Sequence, residues 1–259
     1  MKTIILAAGQ GTRLRPLTDD CPKCMVEING SMIIDRQLAV MRKCGILEED
    51  ITIVTGYCGE KLKHHLRDTR IRFVQNEAFE TTNMVCSLMC AEPTMKEAED
   101  ILISYGDIVY REEVLKKALD TAESAGVIVD DDWLSYWSKR CEDPLDDAET
   151  LVIDQNDCLV EIGQKTRDIE RVQSQYIGLM RFRGKGLTDL LFLAEEAKRR
   201  SERGEKLWRT ERTYEKMYMT DLLQGMIDTG KKLKALHISR GWYEVDDPSD
   251  LALAEKELR

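Results

Sequence analysis

The chain has 259 residues, of which 42% are hydrophobic and 33% charged, the composition of a globular protein with a sizeable core. Its formal net charge is −10 at pH 7, and this acidic excess argues against a nucleic acid as the main partner. No apolar run reaches the roughly 20 residues of a membrane helix, and no export signal precedes the first predicted strand, so we expect a cytoplasmic protein without membrane contact.

The eight cysteines are scattered along the sequence, which in the absence of an export signal predicts reduced thiols. Cys21 and Cys24 form a C-x-x-C pair. A zinc site would need a second pair or histidines at ligand spacing, and a redox motif would normally open a helix, whereas this pair lies in a predicted loop. We therefore expect neither a metal nor a redox function here.

Strands and helices alternate through the first half of the chain. Short apolar runs rich in β-branched residues predict strands, and apolar residues at helical spacing predict the helices between them. In chain order we predict strand 3–8, helix 32–45, strand 51–56, helix 60–68, strand 71–76, helix 84–91, strand 101–107, helix 111–124 and strand 126–130. This order predicts a Rossmann-like three-layer α/β/α sandwich around a mostly parallel sheet.

The second half is more varied. We predict a short aromatic helix 132–140, a hairpin 150–163, a strand 176–182, helices 185–204 and 213–229, strands 232–238 and 242–246, and a closing helix 248–258. The hairpin indicates that the sheet is mixed or that a small subdomain interrupts it. Because no linker, low-complexity tract or repeat is present, we expect residues 1–259 to form a single domain.

The stretch LAAGQGTRLRPLT, residues 6–18, follows the first predicted strand. Ligands of an open α/β sheet bind beyond the carboxyl ends of its strands, where this loop is expected. Gly9 and Gly11 permit unusual backbone conformations and let N–H groups approach an anion, while Arg13 and Lys23 supply charge-assisted donors. This cationic loop in an acidic chain predicts a phosphate site.

Two familiar phosphate loops are excluded, since no Walker A pattern occurs and the third glycine of the dinucleotide fingerprint is replaced by Leu14. The full string LAAGQGTRLRPLT, followed by PKCMVEI at 22–28, instead resembles the signature of nucleotidyltransferases that activate sugar phosphates and phosphocholine. The segments YGD, EIGQK, YMTDLLQ and GWYEVDDPSDL resemble further elements of that family. The resemblance implies its GT-A-like fold.

The segment NEAFETTNMVCSL, residues 76–88, and the short chain resemble phosphocholine cytidylyltransferases and relatives acting on other small phosphorylated acceptors, including phosphoglutamine. The resemblance implies Mg²⁺-dependent transfer of CMP from CTP to such an acceptor, with release of pyrophosphate. One alternative is a sugar-1-phosphate nucleotidyltransferase that uses dTTP, UTP or CTP. Another is a non-catalytic nucleotide-binding protein that kept the fold.

The resemblance implies that Asp107 and Asp246, each at the end of a predicted strand, are the Mg²⁺ ligands. It assigns Arg13 and Lys23 to the triphosphate, so these four residues form the catalytic set. The acceptor's phosphate oxygen is already anionic, and the chemistry therefore needs no catalytic base. On the residues alone, Asp107 can be a turn residue and Asp246 a helix cap, although Asp247 is better placed to cap the closing helix.

The nucleotide-binding residues implied by the resemblance are Leu6, Ala8, Gly9, Gly11, Thr12, Arg13, Lys23, Asn83 and Ser87. The amide of Asn83 and the hydroxyl of Ser87 can read the edge of a pyrimidine, and their alternative role is helix capping. Lys165 is assigned to the acceptor's phosphate or the α-phosphate. Its alternative is a solvated lysine after a hairpin.

The stretch DDDWLSYW, residues 130–137, combines acidic and aromatic side chains. Trp133 and Trp137 are four residues apart and therefore share one helix face, where cation–π contact and nearby carboxylates favour an ammonium group. We accordingly expect these tryptophans to bind an amine-bearing acceptor. The alternative is that they pack the helix onto the sheet or form a homodimer contact.

Overall fold

The structure is a computed structural model and describes residues 1–258. Its strands are Lys2–Ala7 (β1), Glu27–Ile28 (β2), Ser31–Met32 (β3), Ile51–Thr55 (β4), Arg72–Gln75 (β5), Asp100–Tyr105 (β6), Ile108–Tyr110 (β7), Ala125–Asp130 (β8), Glu149–Ile153 (β9), Leu159–Lys165 (β10), Gln175–Arg183 (β11), Lys234–Ile238 (β12) and Trp242–Glu244 (β13). Its helices are Ile33–Lys43 (α1), Gly59–His65 (α2), Met84–Cys90 (α3), Glu92–Lys96 (α4), Glu112–Leu119 (α5), Trp133–Arg140 (α6), Lys185–Glu202 (α7), Met219–Asp228 (α8) and Pro248–Glu257 (α9).

Seven strands form the central sheet in the order β12-β8-β11-β6-β1-β4-β5. All neighbouring strands are parallel except β11, which runs antiparallel to both β6 and β8. The predicted three-layer α/β/α sandwich with a mostly parallel mixed sheet is therefore confirmed. None of the helices within residues 1–258 has the length and apolar character needed to cross a lipid bilayer.

Helices cover both faces of the sheet, and adjacent residues of one strand belong to different hydrophobic clusters. Ile5 packs into the cluster that includes α1 and α5, whereas Ile4 packs into the cluster that includes α3, α7 and α8. Successive side chains of a strand point to opposite faces, so this division follows from the strand itself. It also explains why β1 and β4 read as continuous apolar runs.

The mixed character of the sheet comes from β11 and not from the hairpin. Strands β9 and β10 form a separate two-stranded sheet, and the chain then enters the central sheet in the reverse direction. The register of β11 against β8 is broken between Tyr176 and Met180, and Gly178 within that break has a φ of +83°. Of the two possibilities that the sequence left open, the hairpin is therefore the small subdomain and not the part that makes the central sheet mixed.

A second short ladder matters for the site. Strands β7 and β13, three residues each, pair antiparallel outside the central sheet, with Ile108 opposite Glu244. The sequence did not predict β7, because three residues are too few to show an alternating pattern. The predicted strand 242–246 is correspondingly shorter in the structure and ends at Glu244.

Candidate active site

The β7–β13 ladder brings together two aspartates that are far apart in the sequence. Asp107 directly precedes β7, and Asp246 follows β13 after one intervening residue. The N–H of Val245 donates to the backbone carbonyl of Asp107 at 3.0 Å, which fixes the two turns against each other. Asp247 caps helix α9 and accepts from two backbone N–H groups, so Asp246 is free of the capping role.

Lys23 lies between these two carboxylates. Its Nζ donates to Oδ2 of Asp107 at 2.7 Å and also to Oδ1 of Asp246. Burial disfavours the charged ammonium, but the two carboxylates outweigh it and raise the pKa of Lys23. Arg13 pairs with Oδ2 of Asp246 at 2.8 Å while about two thirds of its side chain stays exposed. The four residues of the predicted catalytic set therefore form one contiguous cluster.

A third carboxylate, which the sequence did not single out, joins this cluster. One carboxylate oxygen each from Asp107, Glu244 and Asp246 lies within 4.8 Å of the other two. Burial and the neighbouring Asp246 raise the pKa of Glu244 well above its usual range, although Arg140 donates to its carboxylate at 3.1 Å. Glu244 and Asp246 are two residues apart, and side chains at that spacing along an extended chain point to the same face. This spacing is the sequence signal that could have identified Glu244.

The three carboxylates suit a divalent cation. Oδ1 of Asp107 is buried and has no hydrogen-bond partner among residues 1–258, although an unpaired buried oxygen is unfavourable. Carboxylate oxygens are the donors that hard divalent cations prefer. Within that part of the chain, no other group of His, Cys, Asp or Glu offers three ligand atoms so close together.

The two glycines of the loop differ in backbone conformation and in the space around them. Gly11 has a φ of +62°, which disfavours any side chain, and a Cβ there would also lie in tight contact with Cβ of Lys23, at 3.1 Å. Gly9 has no left-handed φ, and a Cβ there would meet nothing within 4 Å. The expectation of an unusual backbone thus holds for Gly11 and is wrong for Gly9, whose missing side chain instead leaves open space.

The loop also presents free backbone donors. Among residues 1–258, the N–H groups of Gln10, Gly11 and Thr12 donate to no backbone or side-chain acceptor. The turn holds its shape through other bonds, since Thr18 Oγ1 donates to the carbonyl of Gly11 at 2.7 Å. Free N–H groups beside open space form a cradle for an anion.

A cleft extends from this loop to the start of helix α3. The predicted nucleotide-binding residues that line it are Leu6, Ala8, Gly9, Lys23, Asn83 and Ser87, and Asp107 lines it as well. Phe79 and Tyr105 add two aromatic walls that the sequence did not predict. Gly11, Thr12 and Arg13 do not line the cleft. Of the glycine loop, Gly9 therefore shares one cleft with the predicted nucleobase residues.

The two nucleobase candidates are held differently. Asn83 is the N-cap of α3, and its side-chain oxygen accepts from the N–H of Met84 at 2.8 Å, as the capping alternative requires. Ser87 Oγ accepts from Nδ2 of Asn76 at 3.0 Å, and the same Nδ2 donates to Thr82 at 3.0 Å. Buried Asn76 therefore fixes this wall of the cleft, and nothing in the sequence pattern marked it.

Comparisons with known proteins show the family of this chain. Residues 3–161 match the MobA-like NTP transferase domain family. The chain belongs to this family. Over 256 residues, 97% of this chain and 98% of the relative, it is 38% identical to the CTP:phosphoglutamine cytidylyltransferase of Campylobacter jejuni. This NTP transferase is accordingly an enzyme, a nucleotidyltransferase, as the sequence predicted.

Two further matches are with phosphocholine cytidylyltransferases, one by sequence and one by structure. Over 88 residues, 34% of this chain and 38% of the relative, the NTP transferase is 40% identical to the choline-phosphate cytidylyltransferase of Streptococcus pneumoniae. The solved structure of the CTP:phosphocholine cytidylyltransferase from Streptococcus pneumoniae matches with a TM-score of 0.72 at 20% identity. That match covers 100% of this chain and 99% of that one, which shows that the fold is shared along the whole NTP transferase.

The tryptophans of α6 do not face the cleft of the NTP transferase. Trp133 and Trp137 are each 4% exposed, and Trp137 Nε1 donates to Asp147 at 2.9 Å. Arg140 lies over the ring of Trp137 at 5.0 Å, so the chain's own guanidinium takes the cation–π position. The burial of both rings favours the alternative, in which these tryptophans pack the helix onto the core.

Lys165 lies at the end of β10 and is exposed. Its Nζ donates to the backbone carbonyl of Asp147 at 3.0 Å, which ties it to the loop beneath the tryptophans. Asp147 also accepts from Nε1 of Trp137, so one loop residue contacts both Lys165 and a tryptophan of α6.

Proposed function

We propose that the enzyme transfers CMP from CTP to the phosphate of a small phosphorylated acceptor that bears an amine, and releases pyrophosphate. One observation carries this proposal, namely the contact of Lys23 and Arg13 with the paired aspartates at the mouth of the glycine-loop cleft. The preference for CTP is supported by the cytidylyltransferase that is 38% identical along nearly the whole chain. Phosphoglutamine and phosphocholine are the acceptors named in the relatives.

We further propose that Asp107 and Asp246, joined by Glu244, hold Mg²⁺. The unpaired buried oxygen of Asp107 and the short spacing of the three carboxylates support this assignment. When bound, the ion would neutralise phosphate charge near the reacting phosphorus. In the described structure Lys23 supplies positive charge between the two aspartates.

The chain's own residues provide positioning and charge. The free N–H groups of residues 10–12 are proposed to hold the triphosphate, with Arg13 and Lys23 as the charged donors. An oxygen of the acceptor's phosphate forms a bond to the α-phosphorus of CTP while the bond to pyrophosphate breaks. Because that oxygen is anionic from the start, no residue has to remove a proton, and holding two polyanions together is the main task.

The remaining assignments complete the proposed site. Ser87 and Asn83 line the cleft where a pyrimidine would lie, and Nδ2 of Asn83 has no partner among residues 1–258. Lys165 is proposed to contact the phosphate of the acceptor. We also propose that the reaction takes place in the cytoplasm, which the eight free thiols support.

The test is product identification. The enzyme is incubated with Mg²⁺, each of CTP, UTP, ATP and dTTP, and phosphoglutamine, phosphocholine, phosphoethanolamine or glucose 1-phosphate. We expect pyrophosphate release with CTP and an amine-bearing acceptor, and mass spectrometry should find the matching CDP-linked product. Turnover of glucose 1-phosphate alone would contradict the acceptor, and pyrophosphate release without any linked product would contradict the transfer.

A further inference from the structure

Glu149, the first residue of β9, carries a carboxylate without a partner. Its backbone is held firmly, since Nε2 of Gln175 donates to its carbonyl at 2.6 Å. Its half-buried side chain, however, makes no hydrogen bond and no ion pair with any residue of the range 1–258. No described residue of the fold uses this carboxylate, which leaves it free to bind a ligand.

The surroundings of Glu149 are cationic but leave it unpaired. Lys165 is its direct cross-strand partner in the β9–β10 ladder, yet Nζ of Lys165 turns to the carbonyl of Asp147. Burial raises the pKa of Glu149, and the charges of Lys165 and Arg212 oppose that rise. Neither Lys165 nor Arg212 forms an ion pair with the carboxylate of Glu149 in the described structure.

This carboxylate lies close to the catalytic cleft. Tyr105 lines that cleft beside Asp107, and its ring packs edge-on against Tyr176 with centroids 5.7 Å apart. Tyr176 directly follows Gln175, whose side chain accepts from the N–H of Glu149 at 3.4 Å and donates to its carbonyl at 2.6 Å. The start of β9 is therefore connected through β11 to the Tyr105 wall of the cleft.

Arg212 offers the opposite charge in a prepared orientation. Its Nη1 donates to Asp221 at 3.0 Å, and its guanidinium lies over the ring of Tyr218 at 4.4 Å. Nε and Nη2 donate to no acceptor within residues 1–258, and the side chain is 42% exposed. A held guanidinium with two free nitrogens suits a carboxylate ligand.

We propose that Glu149 binds the ammonium group and Arg212 the carboxylate of the acceptor, so that the acceptor is a phosphorylated amino acid. This inference rests on the proposed function, within which Lys165 is left for the phosphate. A quaternary ammonium has no N–H to donate and favours an aromatic cage. Trp133 and Trp137, which would build such a cage, are buried. A carboxylate partner instead favours an ammonium with N–H groups.

The test separates acceptor binding from turnover. Binding of phosphoglutamine is measured by calorimetry for the wild type, Glu149→Gln, Arg212→Gln and the control Glu170→Gln, whose exposed carboxylate lies on the loop after the hairpin. We expect each of the first two variants to weaken binding about ten- to a hundredfold, as loss of one charged hydrogen bond does. The control should bind as the wild type does, and no variant should change the affinity for CTP.

Thermal unfolding distinguishes this role from a structural one, because Glu149→Gln should leave the melting temperature unchanged or raise it. Equal binding of phosphoglutamine by Glu149→Gln and the wild type would overturn the inference, as would a wild type that binds phosphocholine more tightly than phosphoglutamine. Absence of CTP-dependent turnover with any acceptor would instead contradict the proposed function, and the binding comparison would still decide the inference.

Discussion

Ile108 and Glu244 lie directly opposite each other in the β7–β13 ladder. This pairing brings Asp107, which precedes β7, close to Asp246, which follows β13. Lys23 then bridges the two aspartates. A ladder three residues long therefore assembles a cluster of acids and one lysine from three distant parts of the chain.

Replacing Asp107 by Asn is expected to abolish most turnover while the fold stays intact. The substitution removes one charge from the carboxylate cluster but keeps the shape of the side chain and the backbone bond to Val245. We expect the rate of pyrophosphate release to fall at least about a hundredfold. Asp68→Asn, at an exposed carboxylate, serves as the matched control. Near-normal turnover by Asp107→Asn would remove this residue from the mechanism.

Replacing Lys23 by Met should destabilise the protein and increase its response to Mg²⁺. Without the ammonium, Asp107 loses its partner and Asp246 keeps only Arg13, so we expect the free energy of unfolding to fall by about 3 kcal/mol. A divalent cation held by the same carboxylates should restore part of that loss. Thermal unfolding with increasing Mg²⁺ checks this.

The expected result is a larger rise in melting temperature for Lys23→Met than for the wild type. Lys61→Met is a suitable control, because Lys61 pairs with Asp20 at the surface. A Lys23→Met variant that is indifferent to Mg²⁺ would argue against a cation site between the two aspartates.

The two loop glycines should respond in opposite ways to alanine. Gly9→Ala should fold with normal stability, since its Cβ would meet no protein atom, but CTP binding should weaken because the methyl group enters the cradle. Gly11→Ala should lose stability by about 1 kcal/mol or more, because its φ of +62° disfavours a side chain. Chemical denaturation and calorimetry with CTP measure the two effects. Unchanged CTP affinity in Gly9→Ala would place the triphosphate elsewhere.

The stability gained by Glu149→Gln should depend on pH. The folded-state pKa of Glu149 is raised by burial, so its charged form costs stability as the pH rises from the unfolded value through the folded one. The groups that act on it are Lys165, Arg212, Asp221 and Asp147. Urea denaturation should therefore show no advantage of the variant near pH 4 and an advantage at pH 7 to 8. An advantage that shrinks as the pH rises would contradict an unpaired carboxylate.

Local patterns in the sequence predicted the fold well, because β1, β4 and β6 are buried strands whose apolar runs leave few alternatives. The direction of β11 was not predictable in the same way. It depends on which strands it pairs with, and the hairpin that precedes it carries no signal about direction. The sequence similarly gave no indication of β7, which has only three residues.

The candidate site was predictable where residues act within one loop, as with Gly11 and Lys23. It was not predictable where tertiary packing decides. The sequence favoured Trp137 as a residue that binds an ammonium group, yet Arg140 and Asp147 enclose its ring in the folded chain. Glu149 gave no sequence signal either, because its significance lies in the absence of a partner in the folded protein.

The most direct test of the account is a crystal structure of the enzyme grown with CTP and Mg²⁺. The account predicts a cation in contact with the carboxylates of Asp107 and Asp246, with the triphosphate along the N–H groups of residues 10–12 and the cytosine beside Ser87. A triphosphate bound away from that loop, or a cation that neither aspartate touches, would contradict it.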